Sequence, residues 1–226
     1  MKKLVLTIAM GEYYRQMAEV AHPSIRNYAG KLGADFKVIT EQKISKTTPH
    51  WEKFQIFDFL NTYDRILFLD TDLIVRADTP DLFALVPESN IGAFNEASYS
   101  GRDSGAVMSQ IAQAYGQDLV NWDGRYFNTG VMVVSRVHQP LFVKPVQEIE
   151  SFYEQSYLNL VFARAHTPMT ELDWRFNRTV AMDQIIAAPR LSAYIIHYAA
   201  CVAPTPQIMF DYIKADIASW QSRELT

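Results

Sequence analysis

"RILFLDTDLIV", residues 65–75, joins an apolar run of the kind that builds a buried strand to two carboxylates, Asp70 and Asp72. A bare carboxylate in apolar surroundings is costly unless it is paired or binds a cation. Strand propensity alone does not account for the pair. Outward from this stretch, strand-like apolar runs occur at 3–9, 35–40, 65–69, 91–95, 130–135 and 193–198. Helical patterns lie between them, near 13–32, 50–61, 103–116 and 140–164. Gly33 is expected to cap the first helix, and Pro23 to kink or restart it. Strands alternating with helices predict an α/β fold with a mainly parallel central sheet flanked by helices. No internal repeat, low-complexity tract or obvious linker is visible. Residues 97–126, small, polar and glycine-containing, read as an excursion over a site.

In such sheets ligands bind in the crevice beyond the carboxyl ends of the strands. That puts Asp70 and Asp72 at the mouth of a crevice. Side chains two apart on extended backbone point the same way, so both carboxylates can approach one ion. Magnesium and manganese take oxygen ligands and commonly share them with substrate phosphates. A plainer alternative stays open, in which the aspartates cap a turn.

The chain of 226 residues, 49% hydrophobic, suits one large domain or one domain with a small appendage. Its net charge of -4 gives no basic footprint for nucleic acid. The single cysteine, Cys201, excludes an internal disulfide framework and fits a reducing compartment. "MKKLVLTIAMGEYY" reads as a first strand and not as a signal peptide, because its apolar run is short and no small-residue cleavage site follows. No stretch reaches the apolar length that spans a bilayer, so a cytoplasmic protein is expected.

Several short segments, in order, resemble the GT-A glycosyltransferases of the glycogenin and lipopolysaccharide-galactosyltransferase family, glycosyltransferase family eight. "LVLTIAMGEYY" is similar to that family's first strand and nucleotide turn, and "YDRILFLDTDLIV" to its Asp-x-Asp strand. "WEKFQIFDFLNTYD" resembles the preceding helix with its basic residue. "YFNTGVMVV" resembles its Phe-Asn-x-Gly-Val strand, and "YEQSYLN" its acid-Gln-x-x-Leu-Asn helix. "LDWRFN" and "IIHYAA" are similar to its Trp-x-x-Asn segment and its late histidine strand. The motifs extend across residues 4–200.

The resemblance implies a metal-dependent transferase moving a hexose from a nucleotide sugar, a UDP-hexose, with retention of anomeric configuration. The acceptor would be a glycan, a lipid-linked sugar or a protein side chain. Asp70, Asp72 and His197 would hold manganese or magnesium, and one imidazole beside two carboxylates favours manganese. Thr7, Ile8, Ala9 and Tyr14 fall where the uridine pocket would be, with Tyr13 an alternative stacking ring. Lys53 would meet the donor's phosphate or sugar, and Thr71 lies within the Asp-x-Asp motif. Asn95, with Glu96 beside it, Asn128, Thr129 and Gly130 would complete the donor site. Glu154 and Gln155 would stand beside the anomeric carbon as the catalytic pair. Asp183 and Gln184 imitate the acid-Gln motif but follow "LDWRFN", and read as a decoy.

Two departures stand out. After its histidine the family has a glycine and then a lysine for the diphosphate. Here Ala199 follows and no lysine comes before Lys214. Gly11 stands where the nucleotide turn often has asparagine. The missing lysine keeps one rival reading alive, a nucleotide-sugar-binding protein without turnover, and a second rival, a sugar nucleotidyltransferase, shares the α/β architecture and carboxylate-bound metals. The latter would be expected to carry a glycine-rich phosphate loop, and "TIAMGEYYRQ" has one glycine. Met209, Tyr212, Ile213, Ile217 and Trp220 recur at helical spacing. They divide the chain into a domain over 1–204 and an amphipathic helix over 205–226 that packs back, forms a homodimer face or lies on a membrane surface.

Overall fold

The computed structural model describes residues 1–99, 101, 103–119, 122–149, 153–199 and 205–224. Strand β1 (Lys3–Ile8) leads into helix α1 (Gly11–Lys31) and returns as β2 (Asp35–Ile39). Gly11 has a φ of +76°, the left-handed region that glycine enters freely and asparagine tolerates. The asparagine expected there and the glycine found there thus satisfy one backbone need. Pro23 sits inside α1 without dividing it. The next helical pattern forms as a 3-10 helix (Pro49–Gln55) followed by one turn, α2 (Ile56–Phe59). Then come β3 (Arg65–Leu69), a turn through the two aspartates, β4 (Leu73–Val75), α3 (Leu82–Leu85) and β5 (Ile91–Asn95). Helix α4 (Ser104–Ala114) lies within the 97–126 excursion, and the long strand β6 (Phe127–Ser135) follows it. The chain ends with α5 (Glu154–Arg164), the short strands β7 (Met169–Glu171), β8 (Arg178–Thr179) and β9 (Ile195–His197), and α6 (Pro206–Glu224).

The main sheet has the order β2-β1-β3-β6-β5-β7. Neighbours pair in parallel except β6, which runs antiparallel to both β3 and β5. The mainly parallel sheet is therefore observed, with one reversed strand. Leu4, Leu6, Ile66, Phe68, Met132 and Val134 pack on one face against Trp51, Phe54, Phe142 and Leu158. Val5, Leu67, Leu69, Val131 and Val133 pack on the other against Ile25, Tyr28, Leu82 and Phe83. This period-two division is what a sheet covered on both faces requires.

Two expectations are corrected. Among the described residues of 140–164, the α-helix covers only Glu154–Arg164. Residues Arg136–Leu141 form a 3-10 helix, and Pro145 adds a second break in the segment after Pro140. The strand at 193–198 shortens to β9 and joins a separate three-stranded sheet, β4-β9-β8. Helix α6 packs on α1 and this small sheet through Met209, Phe210, Ile213 and Trp220, against Met17, Ala21 and Ile196. The division expected at residue 204, and Cys201, lie outside the described residues. No helix among the described residues is long and apolar enough to cross a membrane.

Candidate active site

The aspartate pair occupies the turn between β3 and β4, so turn geometry and not strand alternation aims the carboxylates. Several bonds pin that turn. The Asp70 amide donates to the Gly130 carbonyl (2.8 Å), and the Tyr198 amide to the Asp72 carbonyl (2.8 Å). The Thr71 hydroxyl lies 3.2 Å from the Thr7 hydroxyl and 2.8 Å from His22 Nε2. Strand β9 pairs antiparallel with β4, placing His197 opposite Leu73, directly after the turn.

His197 Nε2 lies 3.3 Å from Asp72 Oδ1 and 3.7 Å from Asp70 Oδ2. One ligand atom from each of the three residues lies within 4.8 Å of the others. The Nε2 atom is buried and has no hydrogen-bond partner, which is the condition of a nitrogen kept for another ligand. A Cβ built on Gly130 would come 2.3 Å from His197 Cε1 and 2.6 Å from Asp70 Oδ2. Glycine alone leaves that space open. The donor set and the orphaned nitrogen fit a divalent cation such as manganese or magnesium. Burial alone would lower the His197 pKa, but Asp72 and Asp70 reverse the direction and raise it. Burial raises the Asp70 pKa, which Lys53 and His197 only partly offset, whereas for Asp72 the imidazole outweighs burial and lowers it.

Lys53, from the 3-10 helix, is 4% exposed. Its ammonium lies 2.6 Å from Glu154 Oε1, 3.1 Å from Thr129 Oγ1 and 3.3 Å from Asp70 Oδ1. Burial would lower its pKa, yet the two carboxylates push it up to about 12. Three protons with three acceptors make Lys53 a brace between the aspartate turn and α5. Asn159 fixes α5 on β6, accepting from the Phe127 amide (2.7 Å) and donating to the Phe127 carbonyl (2.8 Å). The β5–β6 register shifts at Ala93/Phe94, so Thr129 is not paired across to β5. Its amide donates instead to Gln155 Oε1 (3.1 Å). Gln155 Nε2 and Asn128 Nδ2 donate to the two oxygens of Glu96, at 2.9 and 2.8 Å.

Two cavities meet at this cluster, of about 640 and 300 Å³. They share His50, Lys53, Asp70, His197 and Ala199. The larger one carries Glu96, Asn128, Glu154 and Gln155, with Tyr99 and Tyr153 further out. The smaller one carries Ile8, Met10, Tyr14, Thr71 and Asp72. Of the residues expected at the first strand, Ile8 and Tyr14 reach the cavity. Thr7 is buried beneath it, and the Ala9 amide donates to the Ile39 carbonyl at 3.0 Å. Tyr13 stands edge-on to Tyr14 and stacks on Phe210. Asn95 is turned away, its carboxamide oxygen accepting from the Ala97 and Tyr126 amides, while the adjacent Glu96 faces inward. Asp183 is engaged by Arg190 (2.8 Å) and Arg178 (3.2 Å).

Two site residues had no role in the sequence reading. His50 lines both cavities, with its ring 4.8 Å from that of Tyr153. Its only signal is its position three residues before Lys53. Asn177 lies 2.8 Å from His197 Nδ1 and ends the "LDWRFN" segment, which the sequence marks without giving it a function.

Comparison with known proteins gives the architecture its context. The model of glycosyl transferase family 8 matches residues 13–204. A glycosyltransferase involved in glycosylation of the major capsid of PBCV-1 superposes with a TM-score of 0.62 at 13% identity, covering 95% of this chain and 100% of that one. The bifunctional glycosyltransferase WbbM aligns at 0.66 and 16% identity, over 96% of this chain and 50% of that one. The galactosyltransferase LgtC, solved with donor and acceptor sugar analogs, aligns at 0.51 and 15%, over 96% and 95%. A comparison with curated proteins finds no match. At these identities the structures establish the GT-A fold, and the family match covers most of the chain. The chain belongs to glycosyl transferase family 8 and is a glycosyltransferase.

Proposed function

We propose that the protein is a divalent-metal-dependent hexosyltransferase that uses a UDP-hexose donor and retains anomeric configuration. The observation that carries this is the convergence of Asp70, Asp72 and His197 where two cavities join. The nucleotide occupies the smaller cavity, with the base against Tyr14 and Ile8. The hexose occupies the larger one, among Glu96, Asn128 and Gln155, with Thr129 and Gly130 behind that wall. The diphosphate crosses between them at Asp70, Thr71 and Asp72. A bound divalent cation supplies Lewis-acid stabilisation of the charge that develops on the departing diphosphate. Gln155, held by the Thr129 amide and Glu96, is fixed beside the anomeric carbon. Glu154 and Lys53 keep that wall in place through their ion pair. Among the described residues, four carboxylates line the larger cavity and its junction with the smaller one against a single lysine, Lys53, already bonded to two of them. A diphosphate entering that field needs an added cation.

Incubation with UDP-glucose and UDP-galactose, with manganese and no acceptor, tests the reading. Slow release of free hexose, abolished by EDTA, is expected. Donor binding with no hydrolysis, and no transfer across a panel of glycan, lipid-linked and protein acceptors, would overturn it in favour of a nucleotide-sugar-binding protein. Equal UDP affinity with and without EDTA would overturn the metal.

A further inference from the structure

The hydrogen bonds behind His197 form a chain in which each donor and acceptor is determined by the link before it. It begins at two groups that have no choice of role. The Gly130 backbone N–H can only donate, and it points at Asn128 Oδ1 (2.9 Å). The Glu96 carboxylate, which accepts when ionised, takes Asn128 Nδ2 (2.8 Å). Both constraints set the Asn128 amide the same way round. Asn128 Oδ1 is then an acceptor for Asn177 as well, so the nearer Asn177 atom (2.9 Å) is Nδ2. The other end of that amide, Oδ1, faces His197 Nδ1 at 2.8 Å. A carbonyl oxygen only accepts, so Nδ1 carries the proton.

From this sequence of bonds we infer that Asn128 and Asn177 are positioning residues that lock His197 as the Nδ1–H tautomer and leave the Nε2 lone pair facing Asp70 and Asp72. That is the form in which an imidazole binds a cation, and such supporting bonds fix both the tautomer and the ring plane. Asn128 is 7% exposed, while Asn177 has no exposed surface. The unpartnered Nε2 is the expected far end of the chain. Asn177 lines neither cavity of the site, so its effect passes through the imidazole.

The inference rests on the metal reading proposed above, and the experiment separates the two. Nitrogen-15 NMR of histidine-labelled, metal-free protein at alkaline pH reports the tautomer, and calorimetry with manganese alone reports affinity. Wild-type His197 should appear protonated at Nδ1. Asn177→Leu should lose about 10- to 100-fold in manganese affinity and lose the single tautomer. Asn177→Asp keeps an acceptor for Nδ1–H but sets its second oxygen against Asn128 Oδ1 without the donor that asparagine supplies, so it should keep the Nδ1–H tautomer and lose less affinity than Asn177→Leu. A wild-type protein that binds no manganese takes down the metal reading and this inference with it. An Nε2-protonated ring in the wild type, manganese affinity within twofold after Asn177→Leu, or equal losses in the Leu and Asp variants would overturn the relay alone.

Discussion

At Gly130 the useful feature is the missing side chain. The space a methyl group would take is bounded by an imidazole carbon, an Asp70 oxygen and the Asn128 carboxamide. Gly130→Ala should therefore cost about 1–3 kcal/mol of stability by overpacking. It should lower manganese affinity by about 100-fold, because the two ligands nearest the methyl cannot both stay in place. Denaturant titration and calorimetry check the two parts, and unchanged metal affinity would show that the cradle is not a metal site. Gln155→Ala should lower kcat by about 100-fold with UDP affinity nearly unchanged, as for a group that matters at the reacting centre. Loss of UDP affinity alone would move Gln155 to the nucleotide. At this scale the sequence was legible where chemistry is written in short motifs: Asp70, Asp72, His197, Gln155 and Gly130 all reach the cluster. It was silent on Asn177, whose part depends on a bond to Asn128 and a bond to His197, and pairings across the fold leave no local trace. Asn95 and Glu96 show the smallest kind of ambiguity, since adjacent residues at a strand end face opposite ways.

Among the elements, α1 carries a buried titratable group that the site does not use. His22 lies under the aspartate turn, bonded to Thr71, and its pKa is lowered from 6.5 to about 4 by burial, with Arg26 adding to the effect. The fold holds this ring neutral, whereas the unfolded chain takes up a proton below pH 6.5. Its contribution is therefore complete above pH 6.5 and is lost as pH falls towards 4. Between pH 7 and 4.5 the wild type should lose about 2 kcal/mol more stability than His22→Gln, measured by urea denaturation. Parallel pH profiles would mean that the ring takes up its proton in the fold as readily as in the unfolded chain. The large elements were readable because their periods are long enough to count, as in α1, β3 and β6. The helix expected over 140–164 failed in its first part: Leu158 and Phe162, one turn apart in α5, share a core with Phe142, but Phe142 reaches it from the end of the preceding 3-10 helix. Pro140 and Pro145 carry the opposing signal. Strands β4, β7, β8 and β9 are two or three residues long, too short for alternation to register.

Across the whole molecule, the C-terminal helix is tied to the segment that carries His197. Asp216 accepts from Arg190 Nη2 (3.1 Å) and from the Tyr198 hydroxyl (2.8 Å), and Trp220 Nε1 donates to the Leu191 carbonyl (3.0 Å). Burial and the Asp216 charge raise the Tyr198 pKa, so that hydroxyl remains a donor. Asp216→Ala should destabilise the protein by about 3 kcal/mol, because it leaves buried donors unpaired. A shift in the urea midpoint measures it, and a loss below about 1 kcal/mol would show that apolar packing alone docks the helix.

The pairing of β4 with β9 also sets an order of events during synthesis. Strands β1, β2 and β3 are all synthesised while the ribosome is still far from His197, so the two aspartates emerge long before their third partner leaves the exit tunnel. The centre is a late contact in a chain whose early contacts are nearby in sequence, and late contacts act on escape from the native state more than on arrival there. Manganese should accordingly slow unfolding in stopped-flow denaturant jumps while leaving the refolding rate almost unchanged. A matching acceleration of refolding would place the closure of β4 on β9 within the nucleus.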